Sequence, residues 1–150
     1  MSEWGEFSTA NLLSNKFGVH FNEDKLVNFK LHHQEESEIL SEITFDKSEH
    51  FVIIHMFKKH EVTEGVSEIG YLAGCSLLGG EIIAVGDENT IYQVDEDFKD
   101  DLGVAGVISI IKKNGKCVFV GDSSLFNNFV IDKFDNRKLL ENIFFWLSEK

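Results

Sequence analysis

The chain has no proline in its 150 residues. Average usage of about 5% would supply several, so every tight turn must be made with Gly, Asn or Asp. Arginine is almost absent too: Arg137 stands alone, and the formal net charge is -12. A phosphate backbone needs clustered Lys and Arg, so nucleic acid is not an expected partner. The same balance disfavours anionic membrane surfaces. No apolar stretch approaches the roughly 20 residues of a membrane span. The opening Met1-Ser2-Glu3-Trp4-Gly5-Glu6 carries acids where a secretory leader needs a basic stretch and an apolar run. There are two cysteines, Cys75 and Cys117, both in apolar runs. They predict reduced, buried thiols and a reducing compartment, hence a cytoplasmic protein.

What is present is globular. Hydrophobic residues make up 43% and charged residues 27%, enough for a core and too apolar for a disordered chain. The length fits one domain over residues 1–150. Phe7 to Phe17 predicts a helix, with Ser8 as cap, Phe7 stapled to Leu12, Leu13 and Phe17 on the apolar face, and Gly18 as terminator. Strands are predicted at 19–21 and 26–31, a polar loop over 32–38, and an element of undecided type over 39–45. Phe51-Val52-Ile53-Ile54-His55-Met56-Phe57 is apolar on both faces and predicts one interior strand. Further strands are predicted at 69–75 and 81–85, an acidic loop at 95–101, and a short helix at 123–128. Asn114-Gly115 between the apolar runs 104–111 and 117–120 is a strong hairpin signal. Asp135 is placed to cap a closing amphipathic helix with Leu139, Leu140, Ile143, Phe144, Trp146 and Leu147 on a broad apolar face.

Four constellations could carry chemistry. Gly121-Asp122-Ser123 follows a strand, as the nucleophile turn does in lipase-like hydrolases of the GDSL type. Every histidine precedes it, however, and the plainer role of Asp122 and Ser123 is to cap the next turn. Ala73-Gly74-Cys75-Ser76-Leu77 has a small residue two before the cysteine, but Leu77 is too large two after it for a nucleophile elbow. A buried strand cysteine is the plainer role for Cys75. His32-His33 with Glu35-Glu36, and His50, His55 and His60, offer imidazole and carboxylate ligands without the spacing of a metal box. His55 shares a strand face with Phe51 and Ile53 and is expected as a hydrogen-bonded core histidine. Asp95-Glu96-Asp97 with Asp100-Asp101 offers oxygens but lacks the central Gly and terminal Glu of a calcium loop. No metal and no cofactor are therefore expected.

A family resemblance rests on three blocks. The first is Glu6-Phe7-Ser8-Thr9-Ala10-Asn11-Leu12-Leu13 with Phe17-Gly18-Val19 and Phe21-Asn22. The second is Lys59-His60-Glu61-Val62-Thr63-Glu64-Gly65-Val66 running into Gly74-Cys75-Ser76-Leu77. The third is Gly115 to Ser123 with Asp135-Asn136-Arg137, Asn142 and Trp146-Leu147. Together they resemble the non-catalytic branch of the class I glutamine-amidotransferase-like superfamily, GIFT domains included. The resemblance implies an α/β fold: a mixed, largely parallel sheet flanked by helices, with a C-terminal β-hairpin and closing helix. Two departures stand out. Glu61 replaces a usual Pro, and the upstream strand–helix–strand portion that holds the amidotransferase nucleophile is not represented.

The expected function is a non-catalytic binding or assembly module, acting in a protein complex or recognising a small ligand. A sheet short of its upstream strands exposes backbone groups and apolar faces, so self-association or a partner chain covering the sheet is expected. The candidate ligand surface is the end of strand 117–120, with Asp122, Ser123, Asn136 and Arg137. Arg137 could hold a carboxylate or phosphate bidentately; its plainer role is pairing with Asp135 or Glu141. The alternative is a small cysteine or serine hydrolase or amidase using Cys75 or Ser123 with His50, His55 or His60.

Overall fold

The computed structural model describes residues 7–28, 50–87, 90–94, 97–99 and 105–149, with the backbone alone for 7, 8, 91–94 and 97–99. The expected elements at 32–38 and 39–45, the Ser8 cap and Phe7 staple, and His32, His33, Glu35, Glu36, Asp95, Glu96, Asp100 and Asp101 lie outside that description.

Helix α1 (Phe7–Ser14) runs into a 3₁₀ turn at Asn15–Phe17. Gly18 ends it at φ 74°, its N–H donating to the Asn15 carbonyl at 3.1 Å. Then come β1 (Val19–Phe21), β2 (Lys25–Asn28), β3 (Phe51–Ile54), β4 (Met56–Phe57), β5 (Ile69–Leu72), β6 (Leu77–Gly79) and β7 (Glu81–Val85). The chain continues through β8 (Thr90–Val94), β9 (Asp97–Lys99), β10 (Gly106–Lys112), β11 (Lys116–Val120) and helix α2 (Asn136–Ser148).

The main sheet has the order β1-β6-β10-β7-β4, with β11 also paired to β10. A second sheet is β2-β8-β9, and β3 pairs with β5. Every one of these pairings is antiparallel. The expected largely parallel α/β sheet is thereby corrected: among the described residues the protein is mostly antiparallel sheet with two α-helices. The misleading run is 51–57. It breaks at His55, and its two halves join different sheets, β3 to β5 and β4 to β7. Both halves find apolar neighbours without any parallel partner. His55 is exposed, not a core residue; its Nε2 lies 3.5 Å from Asp87.

The predicted hairpin forms as β10–β11 across Lys113, Asn114 and Gly115, with Asn114 at φ 58° and Gly115 at φ 131°. The closing helix forms as well. Its buried stripe of Leu139, Ile143 and Trp146 packs with Ile54, Ile83 and Ile110, and Val118 and Val120 of β11 flank that core. Phe144 and Leu147, expected on the buried face, are exposed. Helix α1 is turned the other way round. Asn11 and Ser14 are buried, whereas Leu12, Leu13 and Phe17 are exposed. The Asn11 amide explains this: its Oδ1 accepts from Phe21 N at 2.8 Å and its Nδ2 donates to Phe21 O at 2.9 Å.

Candidate functional site

The segment after β5 is where the sheets meet. Ala73 N donates to the His50 carbonyl at 2.7 Å, Leu26 N to Gly74 O at 2.9 Å, and Cys75 N to Gly121 O at 2.8 Å. Ala73 takes a left-handed φ of 53° to make this bend. Gly74 and Gly121 are needed because the chains nearly touch. A Cβ on Gly74 would lie 2.3 Å from the Tyr71 ring, and one on Gly121 would lie 2.2 Å from the Cys75 carbonyl oxygen. The end of β11 is thus locked against the 73–76 bend.

The polar side chains here serve that lock. Asp122 is buried; its Oδ2 accepts from Leu72 N and its Oδ1 from Ser124 N, each at 2.7 Å. It bonds the start of the following 3₁₀ turn at Ser124–Phe126, as expected, and also holds β5, whereas Ser123 at the N-cap makes no side-chain cap bond. Asn136 is wholly buried. Its Oδ1 accepts from Gly70 N at 2.9 Å, and its Nδ2 donates to Val130 O at 2.9 Å and Gly70 O at 3.2 Å. A carboxylate or amide that satisfies buried backbone groups in this way is a structural fastening.

Ser123 and Arg137 are different: both are exposed. Arg137 Nε donates to Asp132 Oδ1 at 2.8 Å, so its pairing partner is Asp132 and not Asp135 or Glu141. Asp135 does not cap α2 with its side chain. Its Oδ2 instead accepts from Ser67 N at 2.7 Å, tying the helix start to the segment before β5.

The two proposed nucleophiles sit in unlike settings. Cys75 is fully buried, and Ser123 is exposed on the turn. His60 Nδ1 accepts from Val62 N at 3.1 Å within a capping box with Thr63, and its ring meets Trp146 edge-on at 5.4 Å. An open groove of about 610 Å³ lies at that turn, lined by Lys59, His60, Glu61, Thr63, Glu64 and Gly65. None of these is among the candidate ligand residues at the end of β11. No group of three or more His, Cys, Asp or Glu suited to a metal ion occurs among the described residues. No described helix is long and apolar enough to cross a membrane.

Two groups of the locked region were not singled out from sequence. The Tyr71 hydroxyl donates to Cys75 O at 2.7 Å. Burial pushes this phenol well above its usual range, and the neighbouring Cys75, Asp122 and Asp24 add to the shift. It stays a neutral donor. Asp24 accepts from Ser76 N at 2.7 Å and also bonds the Ser76 hydroxyl. Burial raises its carboxyl above the ordinary value despite those bonds, which pull it down. For Asn136 a signal did exist. It lies three residues before Leu139, in phase with the buried stripe of α2.

No protein-family model matches the chain, and no curated protein matches it. A solved structure of the mmIFT52 N-terminal domain is similar in fold, with a TM-score of 0.69 at 15% identity. The match covers 99% of this chain and 62% of that one, so the chain spans less than two thirds of its neighbour's length. This neighbour and the antiparallel pairing together overturn the glutamine-amidotransferase-like, GIFT-like α/β assignment.

Proposed function

We propose that the protein is a non-catalytic assembly module that acts in a protein complex. One observation carries the reading. The polar groups best placed for chemistry at the end of β11 are fastened to backbone, while large apolar side chains face water. Both Asp122 oxygens and the Asn136 amide are occupied by main-chain partners. Against this, Leu12, Leu13, Leu78, Phe129, Phe144 and Phe145 are all exposed. Exposed apolar side chains of this size favour contact with another macromolecule. Ligand contact at the end of β11, where it occurs, falls to Ser123 and Arg137, with Asp122 and Asn136 holding the turn that presents them.

The test has two arms. Tagged protein taken gently from its own cells should run well above its 17.1 kDa. Esterase and amidase screens on wild type and Ser123→Ala should give equal, negligible rates. Turnover that Ser123→Ala abolishes would overturn the reading, as would a native extract holding only the 17.1 kDa species.

A further inference from the structure

We propose that the outer edge of β11 pairs with β11 of a second copy, antiparallel and two-fold, with Val118 opposite Val118. This rests on the assembly reading above and names its contact.

The edge follows from the hydrogen-bond register. β10 and β11 pair Ile108 with Val120, Ser109 with Phe119, Ile110 with Val118 and Ile111 with Cys117. In the same register Gly121 N donates to the Val107 carbonyl at 3.2 Å. In an antiparallel ladder, hydrogen-bonded and non-bonded pairs alternate. Cys117 and Phe119 therefore direct their N–H and C=O toward β10. Lys116, Val118 and Val120 direct theirs outward, where β11 has no neighbouring strand among the described residues. All five residues of β11 are half-exposed. A strand edge without a neighbouring strand is a template for another strand.

The occupant is argued from charge and from the flanks. A chain of net charge -12 opposes its own association over most of its surface, but residues 102–121 contain no Asp or Glu. Within that run Lys112, Lys113 and Lys116 cluster at the hairpin, where Lys116 Nζ donates to Trp146 O at 2.7 Å and pairs with Glu149 at 3.4 Å. Antiparallel pairing about Val118 sets each Lys116 beside the other copy's Val120. At roughly 3.3 Å per residue the two lysines are then about 13 Å apart along the strands, beyond the ~8 Å screening length of physiological salt. Parallel pairing would place them face to face.

Apolar side chains border the edge on both sides. On one, the Phe119 ring meets Phe17 at 5.9 Å and Phe21 at 6.4 Å. On the other, α2 turns Asn142 toward the Val62 and Glu64 carbonyls, in the turn that follows β4. At 100° per residue Phe144 and Leu147 occupy the opposite flank of the helix. Leu147 there lines a hollow with Glu149 and with Lys112, Gly115 and Lys116 of the hairpin. The strand edge alone is far smaller than a standard interface of ~800 Å² per partner, and these aromatic flanks enlarge it. A weak dimer results, with a Kd on the order of 10–100 μM.

Sedimentation equilibrium on the full chain from about 1 to about 300 μM tests this. Wild type should pass from monomer to dimer across the range. Val118→Pro removes an outward N–H without touching the β10 ladder and should weaken the dimer about tenfold or more. Phe144→Asp, at an exposed position that cannot unfold the core, should weaken it several-fold. A dimer that neither variant weakens overturns the edge and leaves assembly standing. A monomer throughout, with Val118 and Val120 amides protected from exchange, also overturns it by showing that part of the same chain covers the strand. A monomer with those amides unprotected overturns it outright.

Discussion

Helices α1 and α2 bury opposite things. α2 sinks Leu139, Ile143 and Trp146 into the core, as an amphipathic helix should. α1 buries Asn11 and Ser14 and leaves Leu12 at 74% and Leu13 at 62% of full exposure. Two hydrogen bonds from Asn11 contribute about 1–3 kcal/mol net. Burying two leucines would contribute about 3–6 kcal/mol. For a helix free to choose, the leucines would win. The orientation of α1 is therefore imposed by its place beside β1, whose Phe21 backbone needs the Asn11 amide. α2 is held by its own packing; α1 is held by one polar side chain.

That contrast is open to breakage, most severely at α2. Trp146→Ala removes a buried indole from the main cluster and should cost about 3–5 kcal/mol, read as a lower urea midpoint. Phe145→Ser, one residue away and exposed, should change stability by less than about 0.5 kcal/mol. Equal losses at the two positions would mean that α2 is not seated as described.

Next in size is Asn11→Ala. It leaves the Phe21 N–H and C=O without their partner and should cost about 1–3 kcal/mol. Faster exchange of the Phe21 amide would localise the loss to β1. Smaller again, Leu12→Ser and Leu13→Ser should leave the melting of the isolated protein within about 0.5 kcal/mol of wild type. A clear loss in either would show that α1 packs by its leucines after all, and the contrast with α2 would disappear.

The smallest effect concerns pH. Asp24 has a folded-state pKa raised by burial, so the fold favours its protonated form. Its contribution to stability is full below the ordinary carboxylate range and is lost as pH rises through the elevated folded value. Asp24→Asn, which stays neutral, should thus gain stability relative to wild type as pH rises through that window. Urea titrations at stepped pH measure the difference. A constant gap between the two proteins would show that the carboxyl is not perturbed.

Local elements were legible in the sequence where the signal was local. Asn114-Gly115 marked its hairpin, Gly18 its helix end, and the spacing of Leu139, Ile143 and Trp146 its helix face. Strand direction was not legible, because it belongs to pairs of strands far apart in the chain. The run 51–57 is apolar enough for a parallel interior strand, yet nothing in it reveals the break at His55 or the partners β5 and β7. Strands β6 and β8 were missed, and β9 (Asp97–Lys99) lies inside the run 95–101 expected as an acidic loop. At the candidate site, Asp122 was legible as a turn cap because the partner lies two residues on. Its second bond, to Leu72, spans 50 residues and has no sequence trace. The same holds for Asp135, whose bond to Ser67 spans 68 residues. Arg137 is a different case: its partner, Asp132, lies only five residues back.

The two thiols differ in a way that experiment can exploit. Cys75 is buried within the 73–76 bend, whereas Cys117 is half-open on β11, one residue from the middle of the edge that has no neighbouring strand among the described residues. A maleimide dye should therefore attach at a single natural position without any engineered cysteine. Whatever approaches that strand would then announce itself as a change in the dye's brightness.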